Sequence, residues 1–282
     1  MLPERVGLYV DQANINGSGG FELDYSALRD FSLRGGAKGV QLNIYSSIDP
    51  VKNERDTGWS GRVMGFHTAI RSLGYHLFVK EAKHYDDGEK VVTKANVDVD
   101  IAVNVMENAA KLDRIILMSG DGDFAPLIAA ARRLGARVEV IAMDTCSAAL
   151  RNEADALFNG WLIPDLMPSL EKVGNNLQWG LSGSRVRGTI ESIDEENRMG
   201  TIRYMKHLRG ADHTTVFAPL APENQGMAVF DLCELNNLDL FSMRGAIVEF
   251  TLMGEMDLLA SAKELLLHRA PTRSGWYRPW LS

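Results

Sequence analysis

The feature that most limits the fold of this chain is a regular alternation of strand-like and helix-like segments up to about residue 160. Short apolar runs, such as 6–10 and 114–118, alternate with segments of helical spacing, such as 25–34 and 98–110. Such alternation predicts a parallel sheet with helices on both faces. The other predicted elements are strands at 40–48, 75–79 and 137–142 and helices at 60–73 and 124–134.

The pattern changes near Pro164 and Pro168, and residues 174–184 are rich in Gly, Asn and Ser. Short β-like runs then follow at close intervals, which favours a small β-barrel. Those runs are 185–193, 200–205, 214–218, 246–252 and about 258–267. The predicted organisation is an α/β domain (1–168), a linker (169–184), a β-barrel (185–268) and a tail of Arg and aromatic residues (269–282).

Composition limits the cellular location and the kinds of partner expected for this chain. Its apolar runs are too short to span a membrane, so no membrane partner is expected. The two cysteines, Cys146 and Cys233, form no metal-binding spacing and no disulfide framework, which fits a cytoplasmic location. The net charge of −7 argues against avid duplex binding through global positive charge, although a substrate channel needs only local positive potential.

Acidic and amide residues gather at three points that adjoin predicted strand ends. They are Asp11 with Asn14, Asp98 with Asp100, and Asp121 with Asp123. The carboxyl ends of parallel strands meet at one edge of a sheet, where open α/β folds place their ligands. Crowded carboxylates repel one another, and an all-oxygen site suits Mg²⁺ or Mn²⁺. An acidic site holding such a cation is typical of phosphodiester chemistry.

The spacing of Asp98 and Asp100 favours one of the two for this site. Two residues are about 200° apart around a helix, so both carboxylates cannot line one small pocket equally, and Asp98 stands nearer the strand end. Each acid also has an ordinary alternative role. Asp98 could complement a helix dipole, Asp121 could form a turn beside its glycines, Asp123 occupies the expected N-cap position, and Asp11 could favour solubility.

Basic and aromatic residues near the same edge are candidate contacts for phosphates and bases. The loop 49–62 follows the second strand, and its candidates are Lys52, Arg55, Trp59 and Arg62. A solvated loop with a packed Trp is the alternative. Lys94 stands just before the Asp98 motif and is the best phosphate-contact candidate.

Three segments carry a family resemblance. Asp-Gln-Ala-Asn at 11–14, the segment 94–103 and Ser-Gly-Asp-Gly-Asp-Phe-Ala-Pro-Leu at 119–127 resemble the hallmark segments of the NYN domain family, which are PIN-like proteins. The resemblance covers about residues 5–160. It implies a PIN-like α/β/α sandwich, a divalent-metal ribonuclease site with Mg²⁺ or Mn²⁺, and RNA as the partner.

Carried over to this chain, the resemblance makes four residues both catalytic and metal-binding: Asp11, Asp98, Asp121 and Asp123. Polar support would come from Asn14, Asp100, Asn104 and Ser119. One departure is Asn104, which stands where the family often has an acid, and this lowers the charge of the site.

The C-terminal part resembles cold-shock domains in its opening hairpin (187–202), second nucleic-acid motif (214–218) and fourth strand (245–250). This implies a five-stranded OB barrel, with 221–243 as an insertion. Most of the family's stacking aromatics are absent. Met199, Thr201 and Arg203 occupy the first stretch, and only Phe217 is kept as a candidate RNA contact. A partner-docking or dimerising role is therefore an alternative for the barrel.

Together these observations predict a metal-dependent endoribonuclease that hydrolyses single-stranded or structured RNA, with an accessory OB-like domain. The first alternative is a non-catalytic RNA-binding or regulatory scaffold with a degenerate site, and a homodimer is left open. A phosphatase-like hydrolase is disfavoured because Ala13, rather than a second acid, follows Asp11 two residues on.

Overall fold

The computed structural model describes residues 2–20, 22–86, 91–94, 97–170, 177–206, 224–235, 243–254 and 260–269. They group into two compact units. The first comprises Met1–Phe21 and Leu28–Phe158, and the second comprises Glu22–Ala27 and Asn159–Ser282.

A six-stranded sheet organises the first unit, in the order β3-β2-β1-β6-β7-β8. The strands of the α/β part are β1 (Arg5–Asp11), β2 (Lys38–Ile48), β3 (His76–Glu81), β4 (Lys83–Asp86), β5 (Val91–Lys94), β6 (Arg114–Met118), β7 (Arg137–Ala142) and β8 (Ala156–Asn159). β4 and β5 form a separate two-stranded antiparallel sheet. The pairings of β1 with β2 and β6, of β2 with β3 and of β6 with β7 are parallel. The strand order reverses between β1 and β6, which is where such sheets bind ligands.

In the part of the chain that the structure describes, the α-helices between these strands are α1 (Gln12–Gly17), α2 (Tyr25–Ser32), α3 (Pro50–Arg55), α4 (Thr57–Ser72), α5 (Asp98–Ala109), α6 (Ala125–Arg133) and α7 (Ala148–Glu153). All of β6 and nearly all of β7 are buried, as strands covered on both faces are. The sequence predicted α2, α4, α5 and α6 but not α1, α3, α7 or β8. Within the described parts of the chain, no helix has the length and apolarity needed to cross a membrane.

The prediction of a loop at 49–62 is wrong, because α3 and the start of α4 occupy it. Pro50 opens α3, a position that tolerates its missing N–H and fixed φ. The carboxylate of Asp56 accepts a hydrogen bond from Trp59 N at 2.8 Å and caps α4. Both signals are present in the sequence but lie within a polar stretch that lacks helical apolar spacing.

A buried ion network lies on the amino-terminal side of the sheet. The carboxylate of Glu139 on β7 is 2.6 Å from the guanidinium of Arg34 and 3.6 Å from that of Arg114 at the start of β6. Arg114 also contacts Glu4 at 2.9 Å. All three central side chains are almost completely buried, so the network fixes the segment after α2 to β6 and β7.

The second unit contains a closed barrel in the order β10-β11-β13-β12-β9. Its strands are β9 (Arg185–Asp194), β10 (Met199–Met205), β11 (Gln225–Asp231), β12 (Ile247–Met253) and β13 (Ala260–Arg269). β11 and β13 pair in parallel, and the other neighbours are antiparallel. This five-stranded barrel is consistent with an OB-like domain. The predicted fold class, a PIN-like parallel-sheet α/β domain and a small β-barrel, is confirmed.

The third strand of the barrel differs from the prediction. The predicted run 214–218 lies outside the described residues, whereas β11 lies in the stretch interpreted as an insertion. The strand signal of β11 is weak because two of its inward positions hold Gly226 and Ala228. A Cβ at Gly226 would stand 2.2 Å from the ring of Tyr204 on β10, so the ring takes the space of a side chain there.

Residues of the predicted linker pack on the barrel. Trp179 is 4% exposed, belongs to the barrel core and donates a hydrogen bond from Nε1 to Met205 O at 2.8 Å. The buried carboxylate of Glu249 on β12 accepts hydrogen bonds from Ser169 Oγ at 2.5 Å and Leu170 N at 3.1 Å. The domain limits at residues 168 and 184 stay a prediction.

Candidate acidic site

Asp11 is the deepest carboxylate of the site. It ends β1, is 3% exposed and caps α1. Its Oδ1 accepts a hydrogen bond from Asn14 N at 3.2 Å, and its Oδ2 accepts one from Ser119 Oγ at 3.2 Å. A donor on each oxygen fixes the orientation of the carboxylate and leaves further lone pairs available.

The segment that follows β6 is tied to Asp11 through Asn14 and Ser119. Gly120 N donates to Asn14 Oδ1 at 2.8 Å, and Asp121 N donates to Ser119 Oγ at 3.2 Å. Asp121 is half-buried, whereas Asp123 is exposed. The structure therefore joins the ends of β1 and β6, which are far apart in sequence, into one hydrogen-bonded arrangement.

The expectation that Asp123 is an N-cap is wrong. Asp121 caps a short 3₁₀-helix, Gly122–Phe124, by accepting a hydrogen bond from Asp123 N at 3.0 Å. α6 continues from this 3₁₀ turn, and the residue at its own N-cap position is Phe124. The side chain of Asp123 is therefore free of a capping role and stands at the outer rim of the site.

The two glycines of this segment serve close approach rather than an unusual backbone conformation. A Cβ at Gly120 would lie 2.0 Å from Thr145 O, and one at Gly122 would lie 2.5 Å from Ser147 Oγ. Ser147 N also donates to Gly120 O at 3.0 Å. Residues 145–147 thus pack closely against the segment that carries Asp121.

Gly120→Ala is therefore expected to displace the Asp121 segment or residues 145–147, because a backbone oxygen cannot yield at that distance. Overpacking of this kind costs about 1–3 kcal/mol of stability. Thermal unfolding should show the loss, and any RNA cleavage should fall with it. Gly61→Ala on α4, where a Cβ would meet no atom within 4 Å, is the matched control and should not destabilise the protein. An unchanged melting temperature in Gly120→Ala would contradict the close-approach role.

Asp98 and Asp100 face different partners from the first turn of α5. The charges of Asp121 and Asp123 raise the pKa of Asp98, so its carboxylate is electrostatically coupled to the group at the strand ends. Asp100 instead forms an ion pair with Lys80 Nζ on β3 at 2.8 Å. The separation agrees with the angle of about 200° between residues two apart on a helix.

The carboxylates of the site influence one another. Burial raises the pKa of Asp11, and the charges of Asp98 and Asp121 raise it further against the hydrogen bonds from Asn14 and Ser119. Burial together with Asp121 and Asp123 raises the pKa of Asp98, while Lys80 opposes the shift. Neighbouring carboxylates thus disfavour the ionised forms of Asp11 and Asp98, and a cation would relieve that repulsion.

Asn104 belongs to the Asp100 side of α5. Its Nδ2 donates to Asp100 O at 3.0 Å, and its side chain also interacts with the hydroxyl of Tyr45 on β2. Asp98 lies on the other side of the helix. An acid at position 104 would therefore stand beside Tyr45 and Asp100 rather than beside Asp98.

The donors fit a hard divalent cation in their chemistry, since all are oxygen atoms. Within the residues that the structure describes, no three His, Cys, Asp or Glu side chains approach closely enough to hold a metal together. Mg²⁺ usually keeps several waters and binds proteins through one or two carboxylates. The chemistry of the residues present fits that mode: Asp11 with Asp98 or Asp121 would be the direct donors, and the others would act through water.

The predicted nucleic-acid contacts are spread over several elements. Arg55 and Arg62 are exposed on α3 and α4, and Trp59 is half-buried in the first turn of α4. The side chains of Lys52 on α3 and Lys94 on β5, and all of Phe217, lie outside the described part of the structure. Their role in RNA binding stays a prediction.

Sequence reasoning missed a row of side chains on β3 next to the acidic residues. His76, Phe78 and Lys80 alternate along this strand and therefore share one face. Phe78 stacks on Tyr45 with ring centroids 4.7 Å apart, and Lys80 pairs with Asp100. The period-two spacing was visible in the sequence, but their position beside the site depends on how β3 and α5 pack.

Comparison with known proteins supplies a family and two similar proteins. A family model, the NYN domain, matches residues 5–161. The low amplitude and bright protein LabA of Synechococcus elongatus is 27% identical over 178 residues, which cover 60% of this chain and 89% of LabA. The crystal structure of a protein of unknown function from Vibrio parahaemolyticus matches 55% of this chain and 91% of that protein, at 25% identity and a TM-score of 0.44.

Proposed function

The chain belongs to the NYN domain family, and on that premise we propose that it is a divalent-metal-dependent endoribonuclease. The observation that supports the proposal is the hydrogen-bonded joining of Asp11 to the segment that carries Asp121, through Asn14 and Ser119, where β1 and β6 end and the strand order reverses. Ligands of open α/β sheets bind at that point. The charge of Asp98 also acts on Asp11. RNA is the proposed substrate and Mg²⁺ or Mn²⁺ the proposed cofactor.

The side chains would have different roles according to how deeply they are buried. Asp11, fixed by Asn14 and Ser119, would be the rigid inner donor of the site. Asp98 and Asp121 would be the outer donors, and the exposed Asp123 would face the substrate side. When bound, the cation would supply an activated water and neutralise charge on the phosphate. Ser119 and Asn14 would keep the β1 and β6 ends in register during the reaction.

The test is cleavage of labelled RNA, both single-stranded and structured, by the full-length protein. Cleavage is expected with Mg²⁺ or Mn²⁺, is expected to stop in excess EDTA, and should return when the cation is restored in excess. The reason is that the acidic group cannot activate water without a cation. Cleavage that continues undiminished in EDTA would point to a contaminating metal-independent nuclease or a different mechanism.

A second candidate is an RNA-binding scaffold without catalysis. It is favoured by one observation: within the described residues, no three His, Cys, Asp or Glu side chains gather at metal-binding distance. RNA binding without cleavage under all cation conditions would support this candidate. Asn104→Asp would then test whether the lost acid explains the inactivity.

The OB-like barrel is proposed as an accessory element that positions RNA or a protein partner. On β10, Arg203 Nε donates to Glu191 Oε2 on β9 at 3.1 Å, and Thr201 and Ser192 share a hydrogen bond of 2.7 Å. These outward groups are therefore engaged with the neighbouring strand, and they offer no aromatic face for stacking. Weak RNA binding by the barrel itself is the expectation.

A further inference from the structure

β3 is the edge strand of the six-stranded sheet, and one of its faces carries two rings and a cation. We name His76, Phe78 and Lys80 the β3 strip. His76 is exposed, Phe78 is half-buried, and 45% of the Lys80 side chain is exposed. Aromatic surface of the strip is therefore partly accessible at the outermost described strand of this sheet.

The rings of the strip are held in a fixed orientation. Phe78 pairs in register with Tyr45 of β2, and the two rings are stacked with an interplanar angle of 5° and centroids 4.7 Å apart. Tyr45 is fully buried, so it is a rigid support. The His76 ring lies 4.4 Å from Phe78. Among the described strands, β3 pairs with β2 alone, and Phe78 stacks on Tyr45 of β2, so the opposite face of the Phe78 ring points away from β2.

The strip leads to the acidic site. Lys80 Nζ is 2.8 Å from the carboxylate of Asp100 in the first turn of α5. The positive charge of Lys80 also acts on Asp98, a member of the acidic group. A chain that runs along β3 would therefore pass from two rings to a cation and then to Asp98.

We propose that the β3 strip is a platform for single-stranded RNA that delivers the strand to the acidic site. Bases would stack on Phe78 and His76, and Lys80 would contact the adjoining phosphate, as is typical of single-strand grooves. Paired bases cannot offer their faces in this way, so the strip selects single strands over duplexes. This proposal rests on RNA being the ligand of the site, and it deepens the proposed function by naming the substrate class.

The experiment measures affinity of the full-length protein for a fluorescent single-stranded RNA and for the same sequence as a duplex, both in EDTA so that metal-dependent cleavage cannot contribute. Phe78→Leu keeps an apolar side chain against Tyr45 but removes the ring, and it should weaken single-strand binding about tenfold. Phe78→Tyr should restore the affinity. Val79→Ala is the matched control, because Val79 is exposed on the opposite face of β3, and it should bind as wild type does.

Three outcomes would overturn the platform: wild type that binds no single-stranded RNA, duplex binding as tight as single-strand binding, or unchanged affinity in Phe78→Leu. A Phe78-dependent dimer with unchanged RNA affinity would likewise overturn it and assign the edge to a second copy of the chain. Loss of cleavage in the metal assay with these affinities as expected would instead reject the nuclease and leave the platform intact. The two failures are thus separable.

Discussion

Asp98→Asn is expected to lower RNA cleavage by roughly 100- to 1000-fold, which corresponds to about 3–4 kcal/mol of lost transition-state stabilisation. The substitution keeps the size of the side chain but removes a carboxylate that is electrostatically coupled to Asp121 and Asp123. RNA affinity should stay the same or rise slightly, since one negative charge that repels the phosphates is gone. Cleavage rate and binding are measured separately, the latter in EDTA.

Asp100→Asn is the matched control, since it is the same substitution in the same helical turn. Its carboxylate faces Lys80 on β3 instead of the acidic group. Cleavage by this variant should stay within a few-fold of wild type. If both variants lose cleavage equally, the assignment of Asp98 alone to the site is wrong. If wild type and Asp98→Asn are equally inactive while wild type binds RNA, the scaffold becomes the better account.

Glu139→Gln is expected to destabilise the first unit by about 3–5 kcal/mol, because it leaves buried guanidiniums without their carboxylate. Glu139 is 2.6 Å from Arg34 and 3.6 Å from Arg114, and all three are almost fully buried. For a unit of this size the melting temperature should fall by about 10 °C. Calorimetry on the full-length protein measures the shift. Because the two units can unfold in separate transitions, the melting temperature compared is that of the first unit.

The same substitution at a surface pair provides the control. Glu153 on α7 lies 3.9 Å from Arg132, and both side chains are 42% exposed, so Glu153→Gln should cost less than about 1 kcal/mol. Equal shifts in the two variants would contradict the assignment of the buried network as a main support of this unit.

The network also predicts a dependence of stability on pH. Burial tends to raise the pKa of Glu139, but Arg34 and Arg114 outweigh it and hold the pKa below its ordinary value of 4.5. A carboxyl with a depressed pKa in the folded state stabilises fully above its unfolded-state pKa and loses that contribution as the pH falls through the folded-state pKa. The gap in melting temperature between wild type and Glu139→Gln should therefore narrow below pH 4.5, and a constant gap would argue against an ionised Glu139.

The sequence by itself determined the kinds of elements and their order. Apolar runs of strand length alternate with helical spacing up to residue 160, and local periodicity suffices to recognise both. It also determined that Asp11 and Asp121 lie at strand ends, because Asp11 directly follows one apolar run and Asp121 comes shortly after another. The angle of about 200° between residues two apart on a helix is enough to place Asp98 and Asp100 on different sides of α5. Elements with weak periodicity, such as α3 and β11, were not predicted from the sequence pattern.

Only the tertiary structure decided which residues meet. The pairing of Glu139 with Arg34, the approach of Gly120 to Thr145 and the position of Lys80 beside Asp100 join segments 20 or more residues apart. Local patterns carry no information on such contacts, because they depend on strand order, register and the seating of α5 on the sheet. The same holds for Trp179, which composition assigned to a linker and which packing places in the barrel core. A glycine-rich composition favours a loop, but the free energy of burying one indole outweighs that preference.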